Sequence, residues 1–166
     1  MSETAVAALG PAGGLVSEEG LTPGLRAMVA EGIEVRGDVV VWNGGARWAE
    51  APPGRSGTLT GWECFVNYFH LDDEVPVAFS EGSEPSIAED EQVVLLRQGA
   101  AFGVAVCRLA MELDPPVPLR CVVVVGVTSG TFRFHRIRRG EDWVRSDPDT
   151  YREEKAVVIE AWRGGF

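Results

Sequence analysis

Positive charge is missing from one quarter of the chain. Between Ser56 and Leu96 there is no lysine or arginine, yet the same stretch carries Glu63, Asp72, Asp73, Glu74, Glu81, Glu84, Glu89, Asp90 and Glu91. The 166 residues hold 25 acids against 15 Lys and Arg, a net charge of −10, so those nine acids leave 16 against 15 elsewhere. Almost the whole net charge therefore belongs to one segment. Lysine occurs once, at Lys155. A nucleic-acid partner is excluded on this balance, because phosphate binding needs clustered cations. The run Arg133, Arg136, Arg138 and Arg139 is too small to reverse it, and it reads as arginines paired with nearby acids such as Glu141, Asp142 and Asp147.

Cysteine and histidine are scarce. Cys64, Cys107 and Cys121 are odd in number and widely spaced, with no CxxC pair, which excludes a disulfide framework and a zinc site of the usual spacing. Each lies among apolar neighbours and reads as a small buried hydrophobe. His70 and His135 are the two histidines. His70 and Asp72 would share a strand face while Asp73 points away, too few ligands for a metal. The GxSxG elbow, the P-loop, GxGxxG and HExxH are all missing. No catalytic residue, metal or cofactor is expected.

Targeting signals are lacking too. Met1 to Gly20 has no Lys or Arg, so a secretory n-region is missing, and the apolar runs are interrupted at Arg97, Gln98 and Arg108. A cytoplasmic location without membrane attachment is expected by elimination. The abundance of Ala, Gly, Val, Arg and Glu, with one lysine, points to a GC-rich bacterial genome.

What is present reads as a globular chain, 45% hydrophobic and 24% charged. Residues 1–20 are small, Gly-rich and aperiodic, and are expected to form a flexible arm. Residues 21–166 are expected to form a single α+β domain. Thr22-Pro23 has the form of a cap followed by proline at the first helical position, Leu25, Met28 and Val29 make an apolar stripe, and Gly32 can end a helix near 23–31. Ile33 to Trp42 reads as strand around a Gly37-Asp38 turn. Asn43-Gly44 is a hairpin signal, with Ala46 to Ala49 as the returning strand. The loop Pro52 to Gly57 precedes Thr58 to Leu71, whose aromatic and β-branched content predicts a long strand. On that strand Cys64 and His70 would share a face about 20 Å apart.

Ser86 and Glu89 have the spacing of a capping box, opening a long helix over about 87–113. Gly99 and Gly103 fall inside it, each costing about 1 kcal/mol relative to alanine. They are tolerable if they let the helix approach a sheet closely. Asp114-Pro115-Pro116 stops it. Arg120 to Val127 reads as a buried strand. A turn at Ser129-Gly130 would set Val125 opposite Phe134 and Val127 opposite Phe132 under the helix, with Thr131, Arg133 and His135 on the other face. A short helix near 148–153 containing Tyr151 and a strand Ala156 to Trp162 complete the reading. The fold class is α+β: a mainly antiparallel sheet with one long helix across one face.

Two functions fit. One is an acidic, protein-binding module that neutralises a basic partner as an immunity or antitoxin protein does, using Asp72, Asp73, Glu74, Glu81 and Glu84, with Trp48, Trp62 and Tyr68 as aromatic types that anchor interfaces or fill cores. The other is a small enzyme or ligand-binding protein with a pocket between sheet and helix, using Cys64, His70, Arg133 and His135, where an arginine beside a histidine could hold a carboxylate or phosphate. Gly99 and Gly103 could alternatively mark a helix–helix contact of an assembly subunit.

Overall fold

The computed structural model describes residues 1–10, 16–44, 57–82, 84–143 and 154–162. The expected strand 46–49 with Trp48, the short helix 148–153, Asp147 and the last four residues fall outside them. Among the described residues, helices α1 (Glu3–Leu9), α2 (Pro23–Glu31), α3 (Leu59–Val66) and α4 (Glu89–Glu112) accompany strands β1 (Ile33–Arg36), β2 (Val39–Trp42), β3 (Phe69–His70), β4 (Leu119–Val125), β5 (Gly130–Arg136) and β6 (Lys155–Ala161). β1 and β2 form a separate hairpin, and the other four make an antiparallel sheet in the order β3-β5-β4-β6. The class is therefore α+β, with α4 lying on one sheet face.

α4 begins where its acids favour a beginning. Glu89, Asp90 and Glu91 occupy its first turn, where the helix dipole stabilises negative charge. The expected capping box does not form. The N-cap is Ala88, which has no side-chain acceptor. The Ser86 hydroxyl instead pairs with that of Ser80 at 2.8 Å. Gln92 turns back to donate to the Ile87 carbonyl at 2.7 Å. Lys155 of β6 donates to Glu89 at 3.0 Å and to Gln92 at 2.8 Å, fastening the first turn to the sheet. By length and composition α4 is apolar enough to cross a bilayer, but its apolar side packs on the sheet.

Gly99 and Gly103 set how close that packing is. A β-carbon at Gly99 would lie 2.8 Å from both Leu71 Cδ1 and Val123 Cγ1, and one at Gly103 would lie 2.8 Å from Ile159 Cδ1. Their helix-propensity cost is offset by contact that no larger residue permits. Phe102, between them, makes edge contacts with Phe132 (ring centres 4.8 Å) and Phe69 (5.8 Å), and Trp42 of the hairpin closes the cluster against Phe134 at 4.9 Å. The space between α4 and sheet is thus core, not the expected pocket.

Three other expectations need correction. Thr58 to Leu71 is not a long strand: α3 occupies Leu59–Val66 and β3 only Phe69–His70. Thr58 accepts a hydrogen bond from the Gly61 N–H at 3.0 Å, and this cap, with burial of Trp62, Glu63 and Cys64, overrides the strand propensity of the composition. The strands β4 and β5 pair Val123 with Phe132 and Cys121 with Phe134, while Val125 faces Gly130. Phe132 therefore sits four residues from its expected partner. The slip is even, so every side chain keeps its predicted face, but Val127 leaves the ladder and lies exposed. Finally, the first ten residues are not an aperiodic arm. Ser2 both donates to and accepts from Ala156 of the edge strand β6, its hydroxyl caps Ala5, and Ala5 and Leu9 are buried.

A valine at position 99 must collide with the central strand. Gly99→Val is expected to lower stability by about 2–3 kcal/mol. Gly99→Ala should also lower it, by about 1 kcal/mol, because its β-carbon already meets Leu71 and Val123 and the gain in helix propensity offsets only part of that clash. Thermal melts of the two variants give the comparison, and equal midpoints would contradict the close packing.

Candidate functional site

The acidic segment gathers where α4 begins and the β4–β5 connection turns. Asp72 is engaged: its Oδ1 accepts the Gly130 N–H at 2.9 Å, pinning the loop to the start of β5. Glu74 is half-buried against Gly24 in α2. Asp73, Glu81, Glu84, Glu89 and Asp90 are exposed. Among these acids three stretches of backbone run side by side. Phe79 bridges Ile87, and the Ile87 N–H donates to the Val127 carbonyl at 2.7 Å. Ile87 points into the core, whereas Phe79 is 44% and Val127 56% exposed. Phe79 and Val127 thus lie exposed on the two flanks of Ile87, in the part of the chain that also exposes these acids. Lys155, the cation that reaches this end through Glu89, is itself almost fully buried.

The second set of predicted residues comes together only in part: His70 and Arg133 both lie against Tyr68. Cys64 is buried in α3, and burial pushes its thiol up to about 12 against the opposing field of Arg133. It stays protonated at neutral pH. His70 shares a hydrogen bond of 2.9 Å with the Tyr68 hydroxyl. The Arg133 guanidinium lies over the Tyr68 ring, 4.9 Å from its centre, and 5.7 Å from that of Trp143. Arg133 lines a shallow concavity of about 220 Å³ on the sheet face away from α4, with Val122, Val124, Thr131, Trp143, Glu154 and Ala156. His135 is fully buried and does not line it. Its Nδ1 bonds the Arg136 carbonyl at 2.9 Å, and its Nε2 has no hydrogen-bond partner. Among the described residues no group of three or more His, Cys, Asp or Glu could hold a metal ion.

The arginine run has structural work that sequence reasoning assigned to other partners. Glu63 of α3, 0% exposed, receives four hydrogen bonds: Oε1 from the Val40 N–H (2.7 Å) and Arg138 Nη2 (2.9 Å), and Oε2 from the Arg136 N–H (3.0 Å) and Arg138 Nη1 (2.5 Å). Burial works against the Arg138 charge, but the bonds and charge of Glu63 outweigh it and raise its pKa. Asp142 pairs with Arg120, which also holds Glu160, each at 2.6 Å. Glu141 accepts the Thr60 N–H at 3.0 Å. The one sign of Glu63 in the sequence is its position between Trp62 and Cys64.

Two of the buried ionisable groups, Glu63 and His135, yield measurable consequences. Glu63→Gln leaves Arg138 buried without its counter-charge and is expected to cost about 3–5 kcal/mol in urea unfolding. Arg138→Met should cost a similar amount, and the double variant less than the sum. Additive or negligible losses would contradict the pair. His135 is held below its usual range chiefly by burial, with Arg120 and Arg138 acting the same way and the Arg136 carbonyl and Glu63 opposing. Its folded pKa lies under the unfolded value of about 6.5, so its contribution is complete above that pH and is lost as pH falls through the folded value. Melting between pH 7.5 and 5.5 should show this decline, and His135→Gln should flatten it.

Compared with known proteins, the chain matches the description of one family, the Uncharacterized protein PM0498 family, over residues 14–162. No curated protein and no solved structure matches it. With nearly its whole length inside that match, the chain belongs to the Uncharacterized protein PM0498 family.

Proposed function

We propose that this protein is a non-catalytic binding module that receives a basic protein partner on its acidic end, in the manner of an immunity or antitoxin protein. The observation that supports this reading is that Phe79 and Val127, both exposed, flank Ile87 in the segment that also exposes Asp73, Glu81, Glu84, Glu89 and Asp90. Specific protein interfaces combine an apolar centre with a polar rim, and this arrangement has both. The carboxylates act at longer range. A surface of one sign raises the encounter rate with an oppositely charged partner, and it does so most at low ionic strength. Asp72 and Glu74 contribute charge, but Asp72 also fixes the loop, so it is a positioning group as much as a contact.

A second reading rests on Arg133. Its guanidinium lies against Tyr68 and Trp143 beside an apolar floor of Val122, Val124 and Ala156. Such a groove suits a small ligand with a carboxylate or phosphate on an apolar body. Here His70, His135 and Cys64 would have no direct part.

The first reading is tested by capture from the native host with the full chain as bait, followed by binding kinetics. Asp73→Asn, Glu81→Gln and Glu84→Gln together are expected to slow association several-fold and to weaken its salt dependence, leaving the melting temperature within a few degrees. Phe79→Ala is expected to speed dissociation by about tenfold or more. A capture that returns no stoichiometric basic protein, or binding unchanged by all four substitutions, would remove its basis.

A further inference from the structure

Cys107 and Cys121 are far apart in role but not in space. Cys107 lies on the sheet-facing side of α4 and Cys121 on the adjoining face of β4. Both are fully buried, and their sulfurs are 3.7 Å apart. Gly103 produces this proximity. It stands one turn before Cys107 on the same helix face, and a β-carbon there would lie only 3.4 Å from the Cys121 β-carbon. The backbone of α4 is thereby drawn down onto β4 where the two thiols meet. A disulfide has an S–S length of about 2.05 Å, so the sulfurs need to close about 1.7 Å from their 3.7 Å separation. The third thiol, Cys64, sits in α3 with no sulfur in contact.

We propose that Cys107 and Cys121 are a latent dithiol that a hydroperoxide converts to an intrachain disulfide, stapling α4 to the central strand β4. One sulfur, as thiolate, attacks a peroxide oxygen; the O–O bond breaks, leaving a sulfenic acid and, after proton transfer, one water. The second sulfur attacks the sulfenic sulfur. The S–S bond forms as the S–O bond breaks, and the departing hydroxide takes the second thiol's proton as water. Two thiols and one hydrogen peroxide thus give one disulfide and two waters. Burial sets the pace. It holds the Cys121 thiol well above its usual range, so the reactive thiolate is rare in the closed core. Reaction proceeds as α4 lifts from the sheet, and the product is then enclosed by the core that slowed its formation.

The test uses the full chain with millimolar hydrogen peroxide, quenched with catalase, then denatured in an alkylating reagent. The expected result is a mass loss of about 2 Da before alkylation and one alkylatable thiol instead of the three free cysteines of the untreated chain. Peptide mapping should join the segments carrying Cys107 and Cys121. Sub-denaturing urea should accelerate the change. The oxidised protein should melt several degrees higher, since the cross-link restrains the unfolded chain. Cys107→Ala should show no such mass loss. Three alkylatable thiols after treatment that oxidises the urea-unfolded chain would overturn the proposal, as would cross-linking through Cys64 or an unchanged mass loss in Cys107→Ala. Mapping of the unsubstituted protein decides the matter even if that variant fails to fold.

Discussion

A single buried carboxylate holds together parts of the chain that otherwise have little reason to meet. Glu63 accepts from Val40 in the β1–β2 hairpin, from the Arg136 backbone at the end of β5, and from both terminal nitrogens of Arg138. An isolated two-stranded hairpin is marginal in water, and this one is not part of the main sheet. Its attachment comes from Trp42 entering the aromatic cluster and from the Glu63 bond to Val40. Arg138 adds a further bond of 2.6 Å to the Asp38 carbonyl in the hairpin turn. Both carboxylate oxygens are doubly used, which is the condition under which a buried ion pair offsets its desolvation cost. Asn67, at the end of α3, repeats the pattern with a neutral group, donating to the carbonyls of Val40 and Phe134. α3 is therefore a polar bracket between hairpin and sheet, although its composition is largely apolar.

The other organising constraint is the short distance between α4 and the sheet. Gly99 and Gly103 weaken the helix locally, yet they face Val123, Leu71, Ile159 and Cys121. Larger residues there would hold the helix off and open voids around Phe102 and Phe132. Interior packing tolerates few such gaps. The aromatic cluster, the hairpin attachment and the thiol contact all depend on that closeness. The opposite sheet face, set by strand alternation, carries Thr131, Arg133 and the concavity beside Trp143.

Features governed by local rules were legible in the sequence. α2 begins at Pro23 and ends before Gly32 where the proline and glycine signals put its ends, although the Thr22 hydroxyl makes no capping bond, and α4 spans nearly all of its predicted range because its apolar stripe and proline stop act within the segment. The alternation of β4 and β5 gave the correct faces even though the register was displaced by four, since facing depends on parity and register on the turn. Illegible features had causes distant in sequence. Thr58 to His70 has strand-like composition; the Thr58 cap is local, but the contacts of Glu63 with the hairpin and with β5 that help hold the segment as helix are distant in sequence. The Ser86–Glu89 spacing was a true local signal defeated by a competitor, because Ser80 lies across the bridge and takes the Ser86 hydroxyl. At the acidic end the charge was readable, but the Phe79–Ile87–Val127 adjacency joins residues up to 48 apart and could not be.

The distribution of charge follows from the same division between inside and outside. Arg138 and Lys155 are drawn into internal bonds with Glu63, Glu89 and Gln92, and Arg120 is committed to Asp142 and Glu160. These three cations are thus neutralised where they stand, while Arg133 lies against the rings of Tyr68 and Trp143. The acids between Asp73 and Asp90 have few such partners, and most of them remain in solvent. Exposed carboxylates of this kind add little to folding stability, and mutual repulsion makes their clustering mildly unfavourable. Glu89 and Asp90 favour the start of α4 and Glu89 holds Lys155, whereas Asp73, Glu81 and Glu84 lie exposed. On the binding reading proposed above, a positively charged surface would relieve that repulsion as Phe79 and Val127 leave water.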